Sequence, residues 1–250
     1  MHILMYHLVQ DLPGPMAVPP ANFLAQMELL ASGPYTVIDE DDLHTMVRRG
    51  TPLPANAVLL TFDDGYANTT TAVLPVLGRF GLPAVMAACG GYLTGDRPLT
   101  VRHPVQEMAD ADQVRQWAAS GRAVAAHSYT HPRLTPLSDR ALAWQTGGDH
   151  EVLTDLLGRP PRTFAYPYGA YDRRVQRAVA ELYPLALATD EHHRPDLQHP
   201  YALSRIQVDS GWSLTAFEAA LAHDTDPAAA QRAARAADHH TANVCEEKAR

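Results

Sequence analysis

A chain of 250 residues with 46% hydrophobic and 19% charged residues has the proportions of one globular domain with an ample core, and not those of a disordered chain. Its formal charge of -8 argues against nucleic acid or an anionic membrane as the main partner, because both select basic surfaces, and leaves a neutral substrate as the better fit. Cys89 and Cys245 are too few for a disulfide framework, and no apolar run approaches the ~20 residues of a membrane span. No basic-then-apolar leader is present, so cytoplasmic residence is the default expectation, extracytoplasmic if a leader was removed.

The chain opens on an apolar run, Ile3-Leu4-Met5-Tyr6, ending at His7. Pro19-Pro20 and Asn22 precede Phe23, Leu24, Met27 and Leu30, whose three-to-four spacing predicts an amphipathic helix stopping before Gly33. After a short strand at Thr36-Val37-Ile38, Asp39 caps a helix that carries Leu43 and Met46 and is closed by Gly50. Ala57-Val58-Leu59-Leu60-Thr61-Phe62 reads as a buried strand running into Asp63-Asp64-Gly65, followed by a helix over 67–79 and a strand over 83–87. The alternation continues with a helix over 111–119, a strand over 123–126, a longer helix over 138–157, a strand over 163–166 and a helix over 172–182. Strands at 185–187 and 203–208 and helices over 214–222 and 227–237 complete it. Such repeats predict a parallel sheet, and the expected fold is α/β, a distorted parallel (β/α) barrel of seven or eight strands. Residues 1–225 are expected to form the catalytic domain, and 226–250 a C-terminal helix and polar tail.

Four strand-like runs end in polar groups: at His7, at Asp63-Asp64-Gly65, at His127 with His131 four residues on, and, after Phe164-Ala165-Tyr166-Pro167, at Tyr168-Gly169. Parallel barrels gather functional groups at the C-terminal ends of their strands. Adjacent carboxylates on a regular strand point to opposite faces, so Asp63 and Asp64 share a site only where the pleat opens, a freedom Gly65 supplies. Two like charges held close call for a cation, with one carboxylate as ligand and the other as a base. The four-residue spacing of His127 and His131 sets both imidazoles on one side of a single turn, which Pro132 ends. With Asp64 they offer two nitrogens and an oxygen and leave coordination positions open, the composition of a catalytic site. The same three ligands also compose the facial triad of a non-haem iron oxygenase, so the chemistry stays open at this point.

Thr61-Phe62-Asp63-Asp64-Gly65, His127-Ser128-Tyr129-Thr130-His131-Pro132 and Phe164-Ala165-Tyr166-Pro167-Tyr168-Gly169 resemble the three leading motifs of the metal-dependent polysaccharide deacetylases, the NodB homology domain or carbohydrate esterase family 4. Met5-Tyr6-His7 is similar to the branch acting on poly-N-acetylglucosamine, whose catalytic histidine comes from the start of the domain. The resemblance implies that Asp64, His127 and His131 hold a divalent cation, zinc first, with cobalt, nickel or iron as alternatives. It implies Asp63 as general base, the backbone N–H of Tyr168 as oxyanion donor and His7 as acid to the departing amine. Tyr166, Pro167, Tyr168, Gly169 and Arg205 are the implied substrate-side residues. The implied reaction removes N-acetyl groups from a glycan; the oligomeric state is unknown.

Many members carry an arginine in the third motif that orients the base, where this chain has Ala165; Arg205 is the preferred replacement and Arg162 the other. The partner of the catalytic histidine has no signature, leaving Asp190 and Asp196 as candidates, and His223 is an alternative acid. These departures motivate a second reading, a degenerate member that binds glycan without turnover. Trp117 and Trp144 read as packing, Trp212 as a residue that can stack on a sugar ring. The segments 90–95 and 190–200 are the expected cavity walls.

Overall fold

A computed structural model describes residues 1–12, 14–95, 106–189 and 195–222 of the chain. The elements run β1 His2–Tyr6, β2 Leu8–Val9, β3 Ala17–Val18, α1 Pro20–Ser32, β4 Thr36–Val37, α2 Glu40–Arg49 and β5 Ala57–Phe62. A π-turn at Thr69–Val73 then leads into α3 Leu74–Phe80, followed by β6 Val85–Ala88, α4 Gly90–Leu93, α5 Ala111–Ala119 and β7 Ala123–Ala126. Next come α6 Asp139–Ala143, a π-turn at Trp144–Gly148, α7 Asp149–Leu157, β8 Thr163–Ala165, α8 Arg173–Ala180, β9 Leu185–Leu187, β10 Ile206–Gln207 and α9 Leu214–Ala222. The helix expected over 227–237 and the tail beyond lie outside the described residues. No helix among the described residues is long and apolar enough to cross a membrane.

All strand pairs are parallel, in the order β10-β1-β5-β6-β7-β8-β9, with β4 added beside β5. The expected strand over 203–208 is cut short, because the segment changes neighbours along its length. At its start the Leu203 N–H donates to Ala186 O (3.0 Å) and Ala188 N–H donates to Leu203 O (2.8 Å), on β9. Three residues later Ile206 and Gln207 stand beside Leu4 and Met5 of β1. That bend closes the barrel and turns Arg205 inward.

The pleat divides the strand residues into two sets. Leu4, Tyr6, Leu60, Phe62, Met86, Phe164 and Ile206 join the core shared with the helices. Ile3, Leu59, Val85, Ala87, Ala125, Ala165, Leu187 and Leu203 form a separate buried cluster inside the barrel. Two residues on from the last inward position of β1, β5, β7 and β9 come His7, Asp63, His127 and Thr189, so alternation alone aims these side chains at the barrel mouth.

At the opposite end α2 is tied to β8 by a buried network. Asp39 caps α2 in a reciprocal capping box with Asp42. Thr163 Oγ1 donates to Glu40 Oε1 at 2.6 Å and lies 3.1 Å from His44 Nε2. With its only proton committed to Glu40, the threonine oxygen accepts from His44. Arg162 reaches Glu40 and Asp41 here, which removes it from the active-site role allowed by the sequence. Burial would raise the Glu40 carboxyl, but hydrogen bonds from His44 and Thr163 and the charges of His44 and Arg162 outweigh it and hold it below the ordinary glutamate value. A depressed carboxyl contributes stability that is present above the unfolded pKa and is lost as pH falls through the folded one. Glu40→Gln is expected to lower stability near pH 7 by about 1–3 kcal/mol, and this deficit should shrink as the pH drops below about 4. Thermal unfolding of both proteins across that range measures it.

Candidate active site

The barrel mouth holds a cavity of about 250 Å³ whose lining includes Met5, His7, Asp63, Asp64, His127, His131, Tyr168 and Arg205. Its base is an ion pair. Arg205 Nη1 donates to Asp63 Oδ1 and Nη2 to Asp63 Oδ2, both at 2.7 Å. The guanidinium is itself fixed by Ala188 O (3.2 Å from Nε) and Thr61 Oγ1 (3.2 Å from Nη1), and only 1% of Arg205 is exposed. Burial pushes the Asp63 carboxyl up, but Arg205, with His127 and His7 adding to it, draws it below the ordinary aspartate value. The carboxylate therefore stays ionised in a buried site, with its plane set by the fork of the arginine.

Asp64 leaves the strand with φ 71° and Gly65 follows at φ 72°. The freedom expected of Gly65 is thus shared by Asp64, whose left-handed backbone swings its carboxylate to the same side as Asp63. His127 and His131 lie in a loop, as expected, but the chain between them does not follow a single helical turn. Ser128 (φ 65°) and His131 (φ 58°) reverse the chain between them, since Pro132 disfavours a helical His131. Together with Tyr168 (φ 61°), these are the four non-glycine residues of positive φ among the described residues, and all lie at this site. Each such conformation costs on the order of 1–3 kcal/mol, and strain concentrated at one mouth marks a functional constellation.

Asp64 Oδ1 stands 3.3 Å from His127 Nε2 and 3.1 Å from His131 Nε2, and the two nitrogens are 3.1 Å apart. Zinc bound tetrahedrally at about 2.0–2.1 Å keeps its ligand atoms about 3.3 Å apart, so the three donors have the spacing of a divalent-cation site. The tautomer fits as well. His127 Nδ1 lies 2.7 Å from Ala165 O, a carbonyl that only accepts, so Nδ1 carries a proton and Nε2 is the nitrogen a cation would take. Burial would raise the Asp64 carboxyl, but hydrogen bonds from His127 and His131 outweigh it and hold it well below the ordinary value.

His7 is 8% exposed on the cavity wall. Burial lowers its pKa more than the Asp64 and Asp63 carboxylates raise it. Tyr168 sets its ring against His131 at a tilt of 59° (centroids 4.8 Å) and beneath the Arg133 guanidinium (4.6 Å). Gly169 also lines the cavity, and a Cβ there would come within 2.7 Å of Thr189 Cβ. Tyr166 lines it too, but the Tyr166 hydroxyl is committed to Tyr201 O at 3.0 Å. Pro167 is buried behind the wall and does not join the lining. Asp196 pairs with His199 on the surface (2.8 Å) and Trp212 packs against the core; neither reaches the cavity. Asp190 and His223 lie outside the described residues. Of the expected walls, Tyr92 lines the cavity, as do Met16, Thr189 and Gln207.

Two residues that the sequence reading passed over brace the ligand loop. Asp149, fully buried, accepts from the His127 N–H at 2.9 Å through Oδ2 and from the Gly90 N–H at 2.6 Å through Oδ1. Burial pushes its carboxyl up to about 7, against backbone hydrogen bonds that lower it. Gln145 accepts the Thr130 N–H on Oε1 (2.9 Å), donates to Thr130 Oγ1 (2.8 Å) and receives the Tyr129 N–H on its own carbonyl (2.9 Å). The available signal was an aspartate on the buried stripe of Leu142, Thr146, Asp149 and Leu153. Asp149→Asn turns an amide N–H toward a backbone N–H, and zinc affinity measured by chelator competition is expected to fall about 10–100-fold. Asp155→Asn, an exposed change on the same helix, is expected to leave it unaltered.

Residues 50–185 match the protein family described as polysaccharide deacetylase. YxkH of Bacillus subtilis, a protein named for that family, is 25% identical over 218 residues, covering 87% of this chain and 74% of its own. The poly-beta-1,6-N-acetyl-D-glucosamine N-deacetylase of Escherichia coli K12 is 32% identical over 102 residues, 41% of this chain but 15% of that protein. Among solved structures, Streptococcus pyogenes deacetylase PplD in complex with acetate superposes with a TM-score of 0.77 at 20% identity, covering 85% of this chain and 94% of that one. IcaB from Ammonifex degensii gives 0.72 at 23% identity, covering 83% and 91%. Both structural likenesses are likenesses of fold.

Proposed function

The chain belongs to the polysaccharide deacetylase family, and from that membership we propose that it hydrolyses the acetamide of an N-acetylated glycan, releasing acetate and a free amino sugar. The observation that carries the reading is the pairing, in one cavity, of an Asp-His-His ligand set with a second carboxylate clamped by a buried arginine. Asp64, His127 and His131 would hold the cation, with zinc favoured by two imidazoles and one carboxylate at tetrahedral spacing. A divalent cation bound there supplies a Lewis acid that lowers the pKa of a water and polarises the acetyl carbonyl.

The chain's own groups do the rest. Asp63, 4.0 Å from His127 Nε2, takes the proton of the attacking water. Arg205 keeps that carboxylate ionised and oriented, so the base meets its proton without reorganising. The backbone N–H of Tyr168, a residue of the cavity lining, donates to the oxygen that gains charge as the carbonyl becomes tetrahedral. Amide cleavage then needs a proton on the nitrogen, since an amide anion leaves poorly. The proton that Asp63 has taken from the water reaches the nitrogen through His7, on the cavity wall, so one proton leaves the water and one arrives on the amine. Enclosure by apolar Met5 and Met16 and by tyrosines limits competing solvent.

Of the two motives for the binding-only alternative, one is removed. The lack of an arginine in the third motif argued for a degenerate binder, but Arg205 engages Asp63 from the bend just before β10. An iron oxygenase has no use for that clamped second carboxylate. The direct test is acetate release across a panel of N-acetylated glycans. Chelation is expected to abolish turnover and zinc or cobalt to restore it; no release from any acetylated glycan at full metal occupancy would refute the reading. The role of His7 has its own signature. His7→Ala is expected to cut acetate release from acetamides by about 10²–10⁴-fold, while hydrolysis of 4-nitrophenyl acetate, whose leaving group needs no proton, should stay near the wild-type rate.

A further inference from the structure

Trp144 is the most exposed large hydrophobic side chain among the described residues, at 56%, although the sequence reads it as packing. It stands in the π-turn between α6 and α7, in a recess lined by Arg140, Ala143, Gly147, Gly148 and Glu151. The spacing 140, 144, 147/148, 151 is that of one helix face. The floor is bare: a Cβ on Gly148 would touch the indole at 3.6 Å, and one on Gly147 would meet nothing within 4 Å. Tyr129 holds the ring edge-on, with centroids 5.0 Å apart and planes at 63°. The indole is therefore seated before any ligand arrives, which lowers the entropy of binding.

The chemistry around it selects an occupant. A pyranose ring offers an apolar C–H face and a rim of hydroxyls, complementary to an indole flanked by one donor, Arg140, and one acceptor, Glu151. An apolar helix or peptide laid in the same recess would bury both charges without partners. A nucleic acid would meet Glu151 and a chain of net charge -8. Position supports the same occupant. Tyr129 sits between the two ligand histidines, and its hydroxyl lies 2.9 Å from Thr94 Oγ1. Two residues before Thr94, Tyr92 lines the cavity. Tyr129 thus links the platform to a segment that contributes to the cavity lining.

We propose that Trp144, with Arg140 and Glu151, is an accessory subsite that stacks a pyranose unit of the same glycan, beyond the unit being deacetylated. The inference rests on the deacetylase reading above and adds that the substrate is a chain long enough to reach over the Tyr129 wall. Longer oligomers bind through both sites and short ones through the cavity alone.

The test uses the zinc-loaded full chain and N-acetylglucosamine oligomers of about two to six units, β-1,4- and β-1,6-linked. Trp144→Ala is expected to raise KM about tenfold on the longest oligomers with kcat unchanged, to leave the dimer unaffected, and to be largely rescued by Trp144→Phe. Unchanged KM at every length would overturn the proposal. So would an equal loss at every length, which marks Trp144 as a support for the ligand loop only. Tryptophan fluorescence titrations with the longest oligomers separate this inference from the deacetylase reading. A saturable change in wild type, absent in Trp144→Ala, with no acetate release from any oligomer, sinks the reading and keeps the platform. No such change sinks the platform.

Discussion

The two 2.7 Å bonds between Arg205 and Asp63 anchor the rest of the cavity. A buried carboxylate without a partner would neutralise itself by taking up a proton. A buried guanidinium without one would be worse still. Paired fork to fork, and with Thr61 and Ala188 filling further donor directions, both charges persist while buried at the barrel mouth. The bend that carries the chain from β9 to β1 is what delivers Arg205 there, so closure of the barrel and orientation of the base are one structural event.

Given a fixed Asp63, its neighbour must reach the same cavity without joining the same ion pair. A regular strand cannot do this, and the chain accepts a left-handed aspartate to achieve it. The ligand loop accepts two more left-handed residues, Ser128 and His131. Such conformations persist only where surroundings over-determine them. Asp149 and Gln145 supply that constraint from a single helix, and the π-turn between α6 and α7 lies where a helix reaches across to brace a loop. Ala87, Ala125 and Ala165 inside the barrel have no bulk to obstruct the mouth, and the carbonyl of Ala165 fixes the His127 tautomer. An alanine in place of the motif arginine thus leaves its backbone in service.

Much of this was legible in the residues. Strand periodicity predicted which side chains point inward, and the strand ends at Asp63, His127 and His7 fell at the mouth as that period requires. Motif spacing pointed to Asp64, His127 and His131, which lie together in one cavity, and the start of a predicted strand favoured Arg205 over Arg162 as the partner of Asp63. What escaped the sequence are features fixed by long-range geometry. The bend at Arg205 depends on two neighbours, β9 and β1, that lie far apart in the chain. The left-handed residues at 64, 128 and 131 express no local preference strong enough to read. Asp149 looked like an ordinary helix residue because its acceptors' partners, the N–H groups of Gly90 and His127, lie 59 and 22 residues away.

The account divides two adjacent carboxylates by role, Asp64 to the cation and Asp63 to the proton of water. Asp63→Asn tests that division in one preparation, measured for zinc affinity and for acetate release at zinc saturation. The account predicts near wild-type zinc affinity with acetate release reduced about 10²–10⁴-fold. Full activity at saturating zinc, or a loss that tracks failure to bind zinc, would contradict it.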